Sequence, residues 1–193
     1  MESYEIHELI IKNMICSRCL KVVRLDLEAL GVEVLEMRLG RVRFRFPKGK
    51  ISFSQIEEIL MEDEFEFVKS KDEQLSETIK LALVEIVNGL PVSRDKKMSE
   101  IIADKLLKDY WSLSKAFSKT EGITIERYFI LLRIEKVKEL IEYDELNFSE
   151  IAYELGYNNI YHLSRQFKQV VGMSMSEYKQ LKDKPRSPLD KIL

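Results

Sequence analysis

The hydrophobic pattern of residues 3–69 alternates short apolar strands with two helical stretches. Apolar residues occupy every second position of residues 41–46 (RVRFRF), which predicts a strand with one buried face. The apolar residues of 17–30 recur instead at helical spacing. In chain order the pattern predicts a strand over 4–11, a helix over 17–30, strands over 32–38 and 41–46, a helix over 53–62 and a strand over 66–68. This βαββαβ order is that of a ferredoxin-like domain, which we expect to span residues 1–70.

In the remainder of the chain the pattern is helical. Apolar residues at helical spacing continue over 75–87, and Gly89-Leu90-Pro91 ends that helix. Further helices are predicted from 98 to 181, where no strand-like alternation occurs. The predicted fold class is therefore α+β, with an all-α domain over residues 71–182. Residues 183–193 hold two prolines and mixed charge, and we expect a flexible tail there.

The helical domain contains an internal repeat. Residues 113–117 (LSKAF) recur as 163–167 (LSRQF), and residues 102–106 (IADKL) recur as 151–155 (IAYEL). Each copy continues with a glycine and then a tyrosine at the same spacing. These residues are Gly122, Tyr128, Gly172 and Tyr178. Each copy is predicted to be two short helices joined by a tight turn, and residues 147–150 (NFSE) match a capping box. The alternative is an arbitrary helical bundle with a duplicated hairpin.

Residues 73–182 resemble the DNA-binding domain of the AraC/XylS family of transcriptional regulators, in which seven helices form two helix-turn-helix halves. Residues 151–178 (IAYELGYNNIYHLSRQFKQVVGMSMSEY) are similar to the signature of the second half, and residues 125–141 fit the long helix that joins the halves. Where the family usually has a proline, this chain has Met175. The resemblance implies a regulator that binds double-stranded DNA, with RNA polymerase as a further partner if it is an activator.

Two helices of the repeat are the expected recognition helices, beginning near Tyr110 and Ile160. A recognition helix lies in the major groove and reads base edges with its first two turns. The side chains expected to face DNA are Trp111, Ser112, Ser114, Lys115, Lys119, Tyr161, His162, Arg165, Gln166 and Lys168. Arg165 has the donors to pair with guanine, and the lysines one turn further on suit phosphates. The alternatives are that Trp111 is an ordinary partly buried aromatic and that Lys119 is a solvated surface charge.

Two cysteines lie between the first predicted strand and the first predicted helix. Cys16 and Cys19 are the only cysteines of the chain, which is not the pattern of a secreted disulfide framework. At the start of a helix, free N–H groups and the helix dipole favour thiolates. Two soft thiolates at this spacing suit a soft metal ion, with Cu(I) favoured and Zn(II) second.

Residues 3–69 resemble the heavy-metal-associated domain of copper chaperones and metal-pumping ATPases. The motif of that family is Gly-Met-x-Cys-x-x-Cys; here Asn13 replaces the glycine, while Met14 and both cysteines match. The resemblance implies that the cysteines bind the metal and that Met14 packs beneath the loop. Residues 62–65 (EDEF) occupy the segment that approaches the loop in that family, and their acidity is unlike that of many chaperones.

Composition narrows the functional classes. The formal net charge is -2, so bulk charge gives no support for nucleic-acid binding, and positive charge used on DNA must be concentrated on one face. The sequence has no glycine-rich phosphate loop, GxSxG or HExxH motif, and we expect that it is not an enzyme. It has no apolar stretch near the roughly 20 residues of a membrane span and no secretory signal. We expect a cytoplasmic protein without a membrane partner.

These patterns combine into one hypothesis, a one-component transcriptional regulator. A soft metal ion held by Cys16 and Cys19 changes either DNA binding or the pairing of two chains, which makes a homodimer one candidate assembly. Two alternatives stay open. The N-terminal domain could be a thiol redox switch in which the two cysteines form a disulfide, or a purely structural or dimerisation module.

Overall fold

The computed structural model describes residues 3–187 and Ile192. Its contacts divide the chain into two compact units, residues 1–81 and residues 82–193. The sequence predicts a boundary after residue 70, where helix α3 (Lys71–Asn88) begins. The division by contacts falls inside that helix instead, because Leu81 packs beside Gly40 of the preceding domain. Helical periodicity marks where a helix starts, but it does not tell which domain its first turns contact.

The N-terminal unit is built on a three-stranded antiparallel sheet in the order β1-β3-β2. Its elements are β1 (Tyr4–Ile10), α1 (Ser17–Ala29), β2 (Glu33–Arg38), β3 (Arg41–Pro47) and α2 (Phe53–Glu62). On β3, Val42, Phe44 and Phe46 are buried, as the alternating pattern predicts, and the arginines between them lie on the opposite face. The buried face forms one apolar core with residues of α1 and α2, such as Leu27 and Ile56.

The fourth strand predicted over residues 66–68 is not formed in the described part of the chain. In its place a single antiparallel bridge joins Ile11 to Phe67. Two backbone hydrogen bonds flank the bridge, from Lys12 N to Glu66 O at 2.8 Å and from Val68 N to Ile10 O at 3.0 Å. The segment has no room to extend, since a left-handed turn at Glu64 precedes it and α3 begins at Lys71. The prediction of a complete four-stranded ferredoxin-like sheet is corrected accordingly.

The C-terminal unit is helical. After α3 it contains α4 (Met98–Leu106), α5 (Tyr110–Glu121), α6 (Ile125–Tyr143), α7 (Phe148–Glu154), α8 (Ile160–Val171) and α9 (Met175–Gln180). With α3, these are the seven expected helices, counted over residues 3–187. The two expected recognition helices begin at Tyr110 and Ile160, so both predicted starts are confirmed. No helix in this described range is both long and apolar enough to cross a membrane.

The two copies of the repeat begin and end in the same way. Asp109 and Asn159, the N-cap residues of α5 and α8, each accept a hydrogen bond from the backbone N–H three residues further on. Gly122 and Gly172 end these helices with φ of 72° and 85°, a left-handed conformation that glycine adopts without strain. The capping box predicted at residues 147–150 is also present. The repeat therefore encodes helix ends as well as apolar faces.

The repeated aromatic residues form equivalent pairs in the two copies. Phe117 packs against Tyr128 and Phe167 against Tyr178, with ring centroids 5.6 Å apart in both. The common spacing within the repeat thus marks a turn that returns a tyrosine beneath the phenylalanine. Met175, at the position where the AraC/XylS pattern has proline, is buried and is the first residue of α9. A first helical residue needs no intrahelical N–H bond, so this position accepts either side chain.

Part of the expected flexible tail is bound to α6. Arg186 donates to Glu139 at 2.9 Å, and the backbone N–H of Ser187 donates to Glu135 at 3.0 Å. The Tyr178 hydroxyl also donates to the carbonyl oxygen of Pro185 at 2.9 Å. Residues 183–187 are therefore held in place, because α6 supplies carboxylates that the local sequence of the tail does not reveal. The rest of the predicted tail, apart from Ile192, lies outside the described residues.

The close packing of the turn between α7 and α8 is tested by substituting Gly156, with Gly172 as the comparison. Gly156 has φ +72°, and a Cβ added there would lie 3.0 Å from the carbonyl oxygen of Val92, whereas Gly172 has φ +85° and open space around it. We expect Gly172→Ala to lower the free energy of unfolding by about 1–2 kcal/mol through backbone strain. Gly156→Ala should cost about 1–3 kcal/mol more through crowding. Urea unfolding of both variants measures the difference; equal losses would show that the chain at Val92 moves aside freely.

Candidate functional site

Helix α5 presents an aromatic and cationic surface opposite its buried side. Trp111 is 71% exposed, and the Lys115 Nζ lies 5.0 Å from the centroid of its indole ring. Leu113 and Phe117 are fully buried on the other side of the helix. The predicted contacts Ser112 and Ser114 are half-buried, and Lys119 is exposed. The alternative of a partly buried Trp111 is therefore wrong, and the exposed indole is available to a ligand.

Helix α8 has the same arrangement with different side chains. Tyr161 is 80% exposed, and His162, Arg165 and Lys168 are also exposed. Leu163 and Phe167 are fully buried beneath them. The helix carries two cations and no carboxylate, although the whole chain has a formal net charge of -2. Positive charge is thus concentrated on the exposed side of this helix, as DNA binding by an acidic chain requires.

Gln166 differs from the other predicted contacts of α8. Its side-chain oxygen accepts hydrogen bonds from the Tyr157 hydroxyl at 2.6 Å and from Arg133 Nη2 at 3.4 Å. The residue is half-buried, so the structure places it between α8 and α6 and in contact with protein. Sequence pattern alone does not reveal this role, because both partners lie outside α8.

Arg133 of α6 contacts both Gln166 and the turn before α8, a role that the sequence pattern does not reveal. Its guanidinium lies 4.2 Å from the ring centroid of Tyr157 and 4.8 Å from that of Phe129. It donates to the Leu155 carbonyl and to Gln166, both at 3.4 Å. The sequence feature that could have indicated this residue is an arginine between two apolar residues of α6, Leu132 and Ile134, both of which are buried.

A polar cavity of about 290 Å³ opens between α6, the turn before α8 and α8 itself. Its lining includes Arg133, Asn158, His162, Arg165 and Gln169. These residues supply mainly hydrogen-bond donors, and no carboxylate lines the cavity in the described part of the chain. The cavity therefore adjoins the side chains predicted to contact DNA.

The two thiols of the N-terminal unit lie together at the start of α1. Cys16 is the N-cap residue, and its Sγ accepts a hydrogen bond from the backbone N–H of Cys19. The two sulfur atoms are 2.8 Å apart, and Cys19 Sγ also lies 3.7 Å from the carbonyl oxygen of Asn13. Cys16 is exposed and Cys19 half-buried. The structure thus brings together the two cysteines that the sequence singles out.

The loop that carries the thiols is held from below and from one side. Met14 is fully buried in the apolar core of the N-terminal unit. Asn13 has φ 65°, and asparagine is one of the few residues that tolerate this left-handed conformation. Its side chain donates to the Glu64 carbonyl at 2.8 Å, so the acidic segment 62–65 does adjoin the loop.

The surroundings of the two thiols shift their pKa values in opposite directions. Partial burial opposes ionisation of Cys16, but hydrogen bonds from Cys19 and from the backbone of Cys19 and Arg18 outweigh it and lower its pKa. For Cys19, burial raises the pKa, and the hydrogen bond with Cys16 raises it further. Cys16 is therefore the more acidic and more accessible thiol.

This difference predicts selective alkylation of the metal-free, reduced protein. We expect iodoacetamide to modify Cys16 faster than Cys19 near neutral pH, because the reactive species is the thiolate. The preference should shrink as the pH rises and Cys19 also ionises. Peptide mass spectrometry at short reaction times measures the two rates. Equal rates at neutral pH would contradict the assignment of Cys16 as the more acidic thiol.

Comparison with known proteins concerns mainly the helical unit. Residues 102–181 match a protein-family model described as a helix-turn-helix domain. The matched residues contain both copies of the repeat, and the second helices of the two copies are α5 and α8. In helix-turn-helix domains the second helix of each motif is the one that enters the major groove.

The curated relatives that match this part of the chain include transcriptional activators. Over 84 residues the chain is 26% identical to the HTH-type transcriptional activator RhaS of Escherichia coli O1:K1, and equally to RhaS of Escherichia coli K12. Each match covers 44% of this chain and 30% of the relative, so the chain spans less than a third of the length of these relatives. The expected relation to transcriptional regulators is confirmed for the helix-turn-helix domain.

Solved structures similar to this chain include two that are described as regulators. The C-terminal domain of AraT, a response regulator from Geobacillus stearothermophilus, has a TM-score of 0.49 at 23% identity and covers 57% of this chain and 88% of that chain. A DNA-binding transcriptional dual regulator from Escherichia coli K-12 has a TM-score of 0.46 at 19% identity, covering 53% and 89%.

Proposed function

We propose that the protein is a transcriptional regulator that binds double-stranded DNA through α5 and α8 and responds to a soft metal ion held by Cys16 and Cys19. The observation that carries the DNA-binding part is the duplicated helix-turn-helix, in which each second helix has a buried apolar side and an exposed polar and aromatic side. The response to metal rests on the paired thiols of the N-terminal unit.

In this proposal some of the exposed side chains contact bases and others contact phosphates. Arg165 has the fork of donors that pairs with guanine in the major groove, and His162 lies one turn earlier on the same helix. Trp111 and Tyr161 offer flat apolar surfaces for thymine methyl groups or sugars. Lys119 and Lys168, one turn beyond the base-reading positions, are placed for phosphates. Gln166 has no base-reading role in this proposal, since its side-chain oxygen is already bonded.

Substitution of Arg165 tests the reading of bases by α8. With a binding site selected from random DNA by the wild-type protein, we expect Arg165→Ala to lose about 1–3 kcal/mol of discrimination at one base pair and little elsewhere. Electrophoretic mobility shifts with single-base variants of the site measure this. Arg127→Ala, at an exposed arginine of α6, is the matched control and should leave the base preferences unchanged. Unaltered preferences in Arg165→Ala would remove this residue from the interface.

The donor set at the thiol loop fits Cu(I) better than Zn(II). Cys16 and Cys19 supply two soft sulfur ligands on an accessible loop. Within residues 3–187, no group of three or more His, Cys, Asp and Glu side chains is placed to share a metal ion. Structural Zn(II) sites take four protein ligands, so Zn(II) would need ligands from elsewhere, such as a second chain in a homodimer. Bound Cu(I) would supply a charge and a crosslink between the loop and the first turn of α1.

In this proposal metal binding shifts the population of chains that are competent at the promoter. The thiols hold the ion, Met14 supports the loop from below, and Asn13 ties the loop to the acidic segment. Because RhaS is named an activator, contact with RNA polymerase is part of the proposal for this protein as well. An anaerobic titration of the reduced protein with Cu(I), followed by DNA binding in the same samples, tests the coupling. Tight Cu(I) binding without any change in DNA affinity or transcription would refute it.

A thiol redox switch is the second candidate for the N-terminal unit. The observation that favours it is the 2.8 Å separation of the two sulfur atoms, which places them to form a disulfide when an oxidant removes two electrons and the two thiol protons are released. DNA binding that changes on oxidation, and not on addition of Cu(I), would favour this candidate. A domain that ignores both treatments would be a structural or dimerisation module.

A further inference from the structure

The cavity beside α8 contains a positive charge that the protein does not neutralise. Arg133 is half-buried with its Nε enclosed, and its hydrogen-bond acceptors, Leu155 O and Gln166 Oε1, are both uncharged. Its Nε–H has no hydrogen-bond partner among the described residues. Burial lowers the pKa of the guanidinium, and no carboxylate opposes that effect. Even a partly buried charge without a counter-ion is costly, so the surroundings of Arg133 favour an anion.

The cavity is shaped and lined for such an anion. The rings of Phe129 and Tyr157 hold the guanidinium, which limits its freedom to turn away. Asn158, His162 and Gln169 add further side-chain donors to the lining, and Arg165 adds a second positive charge. The volume of about 290 Å³ accommodates a phosphate group together with water. The absence of any carboxylate in this described lining removes the repulsion that would exclude an anion.

We infer that the cavity between α6 and α8 binds a phosphate group, with Arg133 as its central positive charge. Phosphate is favoured because arginine guanidinium groups pair with its oxygens and further side-chain donors complete the set. Two sources share this chemistry, a DNA backbone phosphate beside the groove that α8 enters and a free phosphate ion. In the first case the cavity fixes the register of α8 on DNA, and in the second it is a ligand site beside the DNA surface. The DNA case rests on the proposed function; the free-ion case does not.

The direct test is a titration of the reduced full-length protein with inorganic phosphate at constant ionic strength and without DNA. Calorimetry and the thermal midpoint should both report binding to the wild-type protein. Gln169→Glu places a carboxylate in the lining at an exposed position, and we expect it to weaken phosphate binding about tenfold or more. Gln180→Glu is the matched control, since Gln180 is exposed on α9 and does not line the cavity. It should bind phosphate as the wild type does.

DNA binding distinguishes the two sources. Inorganic phosphate at constant ionic strength should weaken binding of a random-sequence duplex if a backbone phosphate occupies the cavity, and should not weaken it if the site takes free phosphate. Arg133→Met removes the guanidinium charge and retains an unbranched apolar chain that resembles the aliphatic part of arginine. In the DNA case it should reduce the slope of log affinity against log salt by about 0.9, the effect of one lost phosphate contact. A purely structural role of Arg133 would leave that slope unchanged.

Two results together would overturn the inference. They are the absence of phosphate binding to the wild-type protein and an unchanged salt slope in a folded Arg133→Met variant, with circular dichroism to confirm the fold. A wild-type protein that binds phosphate but no DNA would refute the proposed regulator and leave the phosphate site standing. Phosphate binding that Gln169→Glu does not weaken would place the site elsewhere and also overturn the inference.

Discussion

Phe167→Ala is expected to lower the free energy of unfolding of the C-terminal unit by about 3–5 kcal/mol. Phe167 is fully buried in α8, and its ring meets the edge of Tyr178 with centroids 5.6 Å apart. Removing the ring leaves a cavity and takes away one of the contacts that join α8 to α9 across the turn at Gly172. Such a loss is a large part of the total stability of a small domain. Urea unfolding followed by far-ultraviolet circular dichroism measures it.

Tyr161→Ala on the same helix is the matched control. Tyr161 is 80% exposed, so its removal should change the free energy of unfolding by about 0.5 kcal/mol or less. It should instead reduce DNA affinity in a protein that remains folded. The two variants thus separate the buried and exposed sides of α8. A loss below about 1 kcal/mol in Phe167→Ala would mean that the core around Tyr178 is not packed as described.

The double variant Cys16→Ser, Cys19→Ser is expected to lose tight Cu(I) binding while keeping its fold. A serine hydroxyl is a hard, protonated ligand at neutral pH and does not replace a thiolate on a soft ion. Competition with a coloured Cu(I) chelator under anaerobic conditions measures the affinity. The DNA affinity of the wild type should change on addition of Cu(I), and that of the double variant should not. Continued response of the double variant would show that the ion acts at another site.

Ser17→Ala provides the control for this second prediction. Ser17 is exposed and lies between the two cysteines, so its substitution changes the loop while keeping both thiols. It should bind Cu(I) as tightly as the wild type. If the wild type itself does not bind Cu(I) tightly, the metal proposal fails, and the redox candidate is tested next by measuring DNA binding of the oxidised protein.

The features that sequence predicted best are those with a local cause. Strict alternation in residues 41–46 predicts β3 because side chains of a strand point to opposite faces. The repeat predicts the starts of α5 and α8 because N-cap residues and terminal glycines lie at fixed distances from the apolar positions. The same periodicity places Trp111 and Tyr161 on the exposed sides of these helices, where the structure has them.

The features that sequence did not predict depend on partners distant along the chain. Gln166 is turned inward by Tyr157 and Arg133, and Arg133 is separated from it by 33 positions. The binding of Arg186 to α6 likewise joins residues 44 and 47 positions apart. The fourth strand is missing because few residues lie between Glu64 and the start of α3. The apolar pattern of residues 66–68 does not reveal this limit. Contacts of this kind form only when helices and strands pack together, so local sequence patterns do not predict them.

The unlike surfaces of α5 and α8 have a consequence for the DNA that the protein would recognise. One helix presents a tryptophan and lysines, and the other presents a histidine and an arginine. A dimer that places two copies of the same recognition helix on DNA favours a palindromic site. Two different recognition helices in one chain instead favour an asymmetric site. A single molecule would therefore sit on a promoter in one direction only. Inverting its binding site in place, without altering a single base within it, would reverse the order in which α5 and α8 lie along the gene.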